Sequence, residues 1–190
     1  SLDYDFVKAI DRLSKQDNFL IIVDEVQTGN GRSGKMYAYM NYDITPDIVT
    51  TAKGLGGGLP IGAAILGEKT ENVLKFGDHG STYGGNPVCC AGALPVINRL
   101  TDSFLSEVKA KSDYAFSELS GAAGIESVSG MGLMIGIKTV KPAAEIIKAA
   151  MEKGVLCLTA KDKVRLLPAL NIPFDDLKKA IQVIKEVAAI

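Results

Sequence analysis

The sequence contains no tryptophan, one histidine (His79) and three cysteines (Cys89, Cys90, Cys157). So few thiols and imidazoles cannot build a disulfide framework or a Cys/His zinc site, and no metal is expected. An excess of one charge is also missing. The 21 basic and 22 acidic residues leave a net charge of −1, with no basic block, which argues against nucleic acid or a membrane surface as a partner. No apolar run exceeds about six residues, far short of the ~20 that a bilayer-spanning helix needs. The chain begins with serine, and its first residues do not have the pattern of a secretory signal, so none is expected. Glycine, by contrast, is plentiful and clustered, at 20 of 190 residues against a usual share of about 7%. With 47% hydrophobic residues the chain has the composition to form a core. The expectation is a soluble, cytoplasmic α/β piece, compatible with a cut from something longer.

Leu2, Phe6, Ile10 and Leu13 recur at helical spacing along one face. Phe19–Val23 is a short, wholly apolar, β-branched run and reads as a buried strand. It ends in Asp24-Glu25, whose carboxylates would emerge at the strand's C-terminal end, where α/β proteins hold ligands. A glycine-rich loop follows, then a second strand (Asp47–Thr51) ending at Ala52-Lys53, a turn-rich stretch (Gly54–Pro60) and a third strand (Ile61–Leu66). Val88–Leu119 is helical in spacing, with Pro95 expected to kink or divide it. Strands are predicted at Ile125–Val128 and Leu133–Ile137 around a Gly130-Met131-Gly132 turn. Two more are predicted at Val155–Leu158 and Val164–Leu167, with helices over Pro142–Gly154 and Asp175–Ala189. A domain change is placed near Thr101, giving units 1–100 and 101–190.

Several residues carry candidate chemistry. Lys53, between an apolar strand and a run of glycines, reads either as a solvated lysine or as a partly desolvated amine able to form a Schiff base. Asp24 reads either as a turn cap or as the acidic partner of a pyridinium nitrogen. Gly29–Lys35 fits G-x-x-x-x-G-K, the front of a P-loop, but Met36 stands where a metal-ligating Ser or Thr is needed, and the glycines follow the acidic strand instead of preceding it. Arg165, between Val164 and Leu166, reads either as an edge-strand arginine facing water or as a bidentate carboxylate clamp. His79 has no ligand partner at useful spacing, and Cys89-Cys90 read as small buried hydrophobes.

Taken in order, these segments resemble the class III (ornithine-type) aminotransferases. The resemblance rests on Leu20-Ile21-Ile22-Val23-Asp24-Glu25-Val26-Gln27-Thr28-Gly29 with Gly31-Arg32-Ser33-Gly34, and on Thr45-Pro46-Asp47-Ile48 running into Ala52-Lys53-Gly54-Leu55-Gly56-Gly57-Gly58-Leu59-Pro60-Ile61-Gly62. It continues through Asp78-His79-Gly80-Ser81-Thr82-Tyr83-Gly84-Gly85-Asn86-Pro87 and Val164-Arg165-Leu166-Leu167-Pro168, so it covers the whole chain. Within the family, the phrase from Gly77 to Pro87 is most similar to the branch acting on N-acetylornithine.

That resemblance implies an α/β architecture: the C-terminal half of a fold-type I enzyme dependent on pyridoxal 5′-phosphate, with later strands of a large mixed sheet followed by a small α+β domain. It implies a homodimer or larger and, as partners, a small amino donor and a 2-oxo acid. By position, Lys53 would be the Schiff-base lysine and proton carrier. Asp24 would pair with the pyridinium nitrogen, Val26 would pack on the ring, and Gln27 would hydrogen-bond near the ring's O3′. Thr82, with Ser81, would reach the cofactor phosphate of the neighbouring subunit, and Arg165 would hold the α-carboxylate of glutamate or 2-oxoglutarate. The implied reaction converts N-acetylornithine and 2-oxoglutarate into N-acetylglutamate 5-semialdehyde and glutamate, in arginine biosynthesis. Ornithine, succinylornithine and 4-aminobutyrate enzymes share the same key positions and stay open as alternatives. So does a non-catalytic folded fragment, because family members run to about twice this length and a half would be inactive alone. Two positions depart from the family pattern: Ser129 stands where arginine is usual, and Ala169 where a second proline is usual. In this light the P-loop match is accidental, and Gly29–Lys35 belongs to the loop after Asp24.

Overall fold

The computed structural model describes residues 1–189. The chain divides into two compact units, Leu2–Leu105 and Ser106 onward.

The first unit opens with α1 (Tyr4–Asp17), whose N-cap Asp3 accepts from the Phe6 amide and whose C-cap Asn18 takes the left-handed conformation at φ 51°. Three short strands form its sheet: β1 (Ile22–Asp24), β2 (Ile48–Thr51) and β3 (Ala63–Leu66). β2 is central, parallel to β1 and antiparallel to β3. Asp47 sets where β1 and β2 start to pair, because its carboxylate accepts from the Ile21 amide at 2.8 Å while its own amide donates to the Ile21 carbonyl at 2.9 Å. After an exposed stretch over residues 71–85 comes α2 (Pro87–Arg99). Pro87 fills its first turn, and Asn86 accepts from the amides of Val88 and Cys89.

The second unit holds a four-stranded antiparallel sheet in the order β4 (Ile125–Met131), β5 (Met134–Thr139), β7 (Lys163–Leu166), β6 (Leu158–Ala160). One face carries Ile135, Ile137, Val164 and Leu166. These form a single core with Ala115 and Leu119 of α3 (Asp102–Leu119), Ile146 and Ala150 of α4 (Ala143–Glu152), and Leu177, Ile181 and Ile184 of α5 (Phe174–Ala189). The period-2 alternation of β5 and β7 places this apolar face against the helices and turns Gly136, Lys163 and Arg165 to the opposite side.

Five sequence expectations are corrected. The run Phe19–Val23 is not buried: Leu20 is 48% and Ile22 62% exposed, because β1 is an edge strand and no described residue covers these side chains. α1 likewise buries Val7, Asp11 and Ser14 while Leu2, Phe6 and Leu13 stay exposed. Pro95 lies inside α2 without dividing it. The break falls at Leu100-Thr101, where the Thr101 hydroxyl accepts from the Phe104 amide and starts α3. The β4–β5 turn is Gly132-Leu133, since Gly130 and Met131 are still paired with Ile135 and Met134. The expected strand at Val155–Leu158 is displaced to Leu158–Ala160.

Candidate active site

Register pairs Asp24 with Thr50, and Lys53 follows Thr50 by three residues. The carboxylate and the amine therefore leave neighbouring parallel strands at the same C-terminal end, where parallel sheets present ligands. Oδ1 of Asp24 accepts from the Val26 amide at 2.9 Å and from the Thr50 hydroxyl at 3.3 Å. These bonds orient the carboxylate and leave its second oxygen free in solvent. Lys53 is exposed, and its Nζ makes no hydrogen bond or ion pair among the described residues. The desolvation expected of a Schiff-base lysine is thus not supplied by its surroundings here. Its backbone is unusual: φ is +47°, a left-handed conformation that a non-glycine residue holds only at a cost. Gln27 is exposed and its side chain has no partner among the described residues, and Val26 is half-buried.

Glu25 does not emerge beside Asp24. Successive strand residues face opposite ways, and Glu25 is fully buried beneath the loop that follows. Its Oε1 accepts from the Tyr39 amide at 2.9 Å and its Oε2 from the Thr28 hydroxyl at 2.5 Å, which ties both ends of the loop to the strand. Burial pushes the Tyr37 and Tyr39 phenols above their ordinary range, and the nearby Glu25 carboxylate adds to the rise, so both stay protonated donors at neutral pH. Gly29 is required by close approach: a Cβ there would lie 2.8 Å from the Glu25 carbonyl and 2.9 Å from the Tyr37 ring. Replacing Glu25 by Ala is expected to destabilise the first unit by about 3 kcal/mol, from two unpaired buried donors and a cavity. Glu25→Gln, which keeps the shape, is expected to cost under about 1.5 kcal/mol. Urea unfolding followed by tyrosine fluorescence measures both, and equal losses would refute the hub role.

Two residues that the sequence reading passed over complete this region. Asn30 is buried, and its Nδ2 donates to the Thr51 hydroxyl at 3.0 Å and to the Ala52 carbonyl at 3.1 Å. Thr51 is buried too and shares a side-chain hydrogen bond with the Tyr37 phenol. The available signal was an asparagine between two glycines, the non-glycine residue most tolerant of positive φ.

Arg165 lies in the second unit, on β7, which is paired on both sides: Arg165 stands between Gly136 and Leu158. The edge-strand alternative is therefore excluded. Half-buried, the guanidinium makes no hydrogen bond or ion pair among the described residues. Gly136 opposite leaves it space on the open face. A cavity of about 530 Å³ has Arg165 among its lining residues, together with Leu166, Leu177 and Ile181. Ser129, the departure from the family pattern, accepts from Lys163 Nζ at 2.8 Å and donates to the Gly136 carbonyl at 3.3 Å.

Ser81 and Thr82 lie on the exposed stretch before α2, and no hydrogen bond joins them to the Asp24–Lys53 region. His79 is exposed on the same stretch. Cys89 is buried as expected, while Cys90 and Cys157 are only half-buried.

An oriented carboxylate with a free oxygen beside an unpaired primary amine is the donor set that fits a pyridinium ring bearing an aldehyde. The carboxylate matches the ring N–H⁺ and the amine matches the carbonyl carbon.

Residues 2–188 match the family described as Aminotransferase class-III. The acetylornithine aminotransferase of Haemophilus ducreyi is 44% identical over 98% of this chain and 48% of its own length. A solved N-acetylornithine aminotransferase from Stenotrophomonas maltophilia K279a aligns with a TM-score of 0.85 and 31% identity, over 97% of this chain and 50% of that one. The ornithine δ-aminotransferase of Plasmodium falciparum aligns with a TM-score of 0.87 and 30% identity, over 98% and 51%. The chain thus spans about half the length of the curated relatives it matches.

Proposed function

The chain belongs to the class III aminotransferase family, and on that premise we propose that it supplies the reactive lysine, the ring-facing carboxylate and the substrate-holding arginine of an N-acetylornithine aminotransferase. The family works with pyridoxal 5′-phosphate, which when bound supplies an electron sink for charge developing on the substrate's carbon. The observation that carries the reading is the placement of Asp24 and Lys53 at the C-terminal ends of adjacent parallel strands, with Asp24 in register with Thr50.

Each residue has a task that follows from its surroundings. Asp24, aligned by the Val26 amide and Thr50 hydroxyl, holds a proton on the ring nitrogen by offering its free oxygen. Lys53 Nζ is the cofactor's anchor. With the cofactor bound, the same amine would also serve as the proton carrier at the donor's carbon. Val26 packs on the ring face and Gln27 reaches toward O3′. Thr82 and Ser81, on an exposed stretch, reach the phosphate held by a neighbouring subunit of a homodimer. Arg165, unpaired on an open sheet face, clamps the α-carboxylate of glutamate or 2-oxoglutarate. The domain assignment follows these roles: residues 1–100 belong to the cofactor-binding domain, and residues 101–190 form the small domain that brings Arg165. The setting we propose is arginine biosynthesis in the cytoplasm.

The exposed apolar side chains of β1 and α1 support a further reading, that the chain alone does not turn over substrate. The test joins this chain to the front half of the Haemophilus ducreyi enzyme. The chimera is expected to transaminate N-acetylornithine with 2-oxoglutarate in preference to ornithine, succinylornithine or 4-aminobutyrate, whereas the 190-residue chain is expected to be inactive. Arg165→Ala in the chimera should raise KM for 2-oxoglutarate about 100-fold, the loss of a bidentate charged contact worth about 3 kcal/mol. A preference for another donor, or an unchanged KM, would overturn the corresponding assignment.

A further inference from the structure

Lys53 keeps a left-handed backbone, φ +47°, immediately after Ala52, whose own φ and ψ are −164° and −146°. Such a conformation in a lysine persists only where neighbours over-determine it. The Ala52 carbonyl is the last acceptor before Lys53, and it is held twice: by the Leu55 amide at 3.0 Å, closing the 3-10 turn over Lys53–Gly56, and by Asn30 Nδ2 at 3.1 Å. The same Nδ2 binds the Thr51 hydroxyl at 3.0 Å. Asn30 itself sits at φ +54°, which aims its side chain from the loop after Asp24 across to the exit of β2.

The orientation of the amide is forced. A carbonyl only accepts, so the NH₂ group must face Ala52. The consequence is that Oδ1 is buried with no hydrogen-bond partner, the only such side-chain atom among the described residues. A buried acceptor left unpaired works against stability, as does a left-handed asparagine. Asn30 therefore carries two local costs in order to grip the residue before Lys53.

We infer that Asn30 is a positioning residue: by clamping Thr51 and Ala52 it holds Lys53 in its left-handed conformation and aims Nζ at the place where Asp24 presents its carboxylate. This rests on the reading of Lys53 as the cofactor's amine, and the experiment keeps the two claims apart.

Two variants serve the test. Asn30→Gly retains access to positive φ and deletes the amide. Asn30→Asp retains the shape but turns an oxygen toward the Ala52 carbonyl. Each is compared with the unaltered chain by thermal unfolding, by backbone NMR of Lys53, and by reaction with pyridoxal 5′-phosphate followed by borohydride reduction and peptide mapping. The expected result is loss of the positive-φ couplings and shifts of Lys53. With it, the share of label on Lys53 falls about tenfold relative to the other lysines, while the unfolding midpoint changes by no more than about 5 °C. Unchanged Lys53 couplings in both variants would overturn the proposal. So would a midpoint collapse in both variants with label falling equally on every lysine, since Asn30 would then be a plain structural residue. Unselective labelling of the unaltered chain would instead defeat the assignment of Lys53 as the cofactor's amine, and the NMR comparison would still decide the positioning claim.

Discussion

Replacing Lys53 by alanine in the chimera is expected to lower transamination by about 10⁴-fold or more, with no phosphopyridoxyl group on the residue-53 peptide after borohydride reduction. The size follows from the two tasks that meet on one atom. Removing a positioned proton carrier alone loses about 10²–10⁴-fold, and the nucleophile that anchors the cofactor is lost with it. Lys53→Arg separates charge from nucleophilicity. It keeps a cation at the end of β2, but a guanidinium stays protonated in proteins and offers no free amine, so this variant should be as inactive as the alanine. Lys35→Ala removes the other lysine that follows a glycine-rich motif and should leave turnover within about twofold. If Lys53→Ala retained turnover and Lys35→Ala lost it, both the role of Lys53 and the dismissal of the P-loop would fail together.

The candidate site is legible in the sequence where a residue closes an apolar run. Asp24 and Lys53 each follow a β-branched strand, and the structure sets those strands side by side with Asp24 against Thr50. What pattern reasoning misreads is the direction of a side chain at a strand end. Asp24 and Glu25 look like a matched pair of emerging carboxylates. Yet the period of two sends one to solvent and the other into a buried knot with Thr28 and Tyr39. The Asn30–Thr51–Tyr37 contacts cannot be read at all from spacing, because they join residues up to 21 apart through a loop whose path is set by the Gly29 turn.

Burial is the second weak point, for a different reason. Periodicity reports that a face is apolar, not what covers it. In the second unit the stripe of α5 at Leu177, Ile181, Ile184 and Val187 meets the sheet and is buried as the pattern predicts. In the first unit the equally apolar stripe of α1 and the run leading into β1 are left exposed, since the described chain supplies no second layer there. Pro95 shows a third limit: helix propensity disfavours it, but removing one backbone donor near the C-terminal turns of α2 does not outweigh a helix whose Asn86 cap and Cys89 and Ala93 contacts are already in place.

The stability of the second unit depends on one position that composition alone marks only as another glycine. Gly130 sits inside β4 at φ +129°, opposite Ile135, and a Cβ there would lie 2.0 Å from the Met134 carbonyl oxygen and 3.1 Å from its carbon. Both atoms belong to the backbone of the paired strand, so no rotamer change relieves the overlap. Separating the strands breaks the pairing that carries Ile135 and Ile137 into the core. Gly130→Ala is therefore expected to cost about 3 kcal/mol or more, combining backbone strain with displacement of β5, and to lower the unfolding midpoint of this unit by about 15 °C. Gly121→Ala is the control, because Gly121 also has positive φ (+75°) but open space where its Cβ would lie. It isolates the conformational term and should cost only about 1 kcal/mol. Calorimetry on the two variants distinguishes the contributions: equal midpoints would mean that the approach of Gly130 to Met134 contributes nothing, and that the β4–β5 hairpin can open without disturbing the core beneath Arg165.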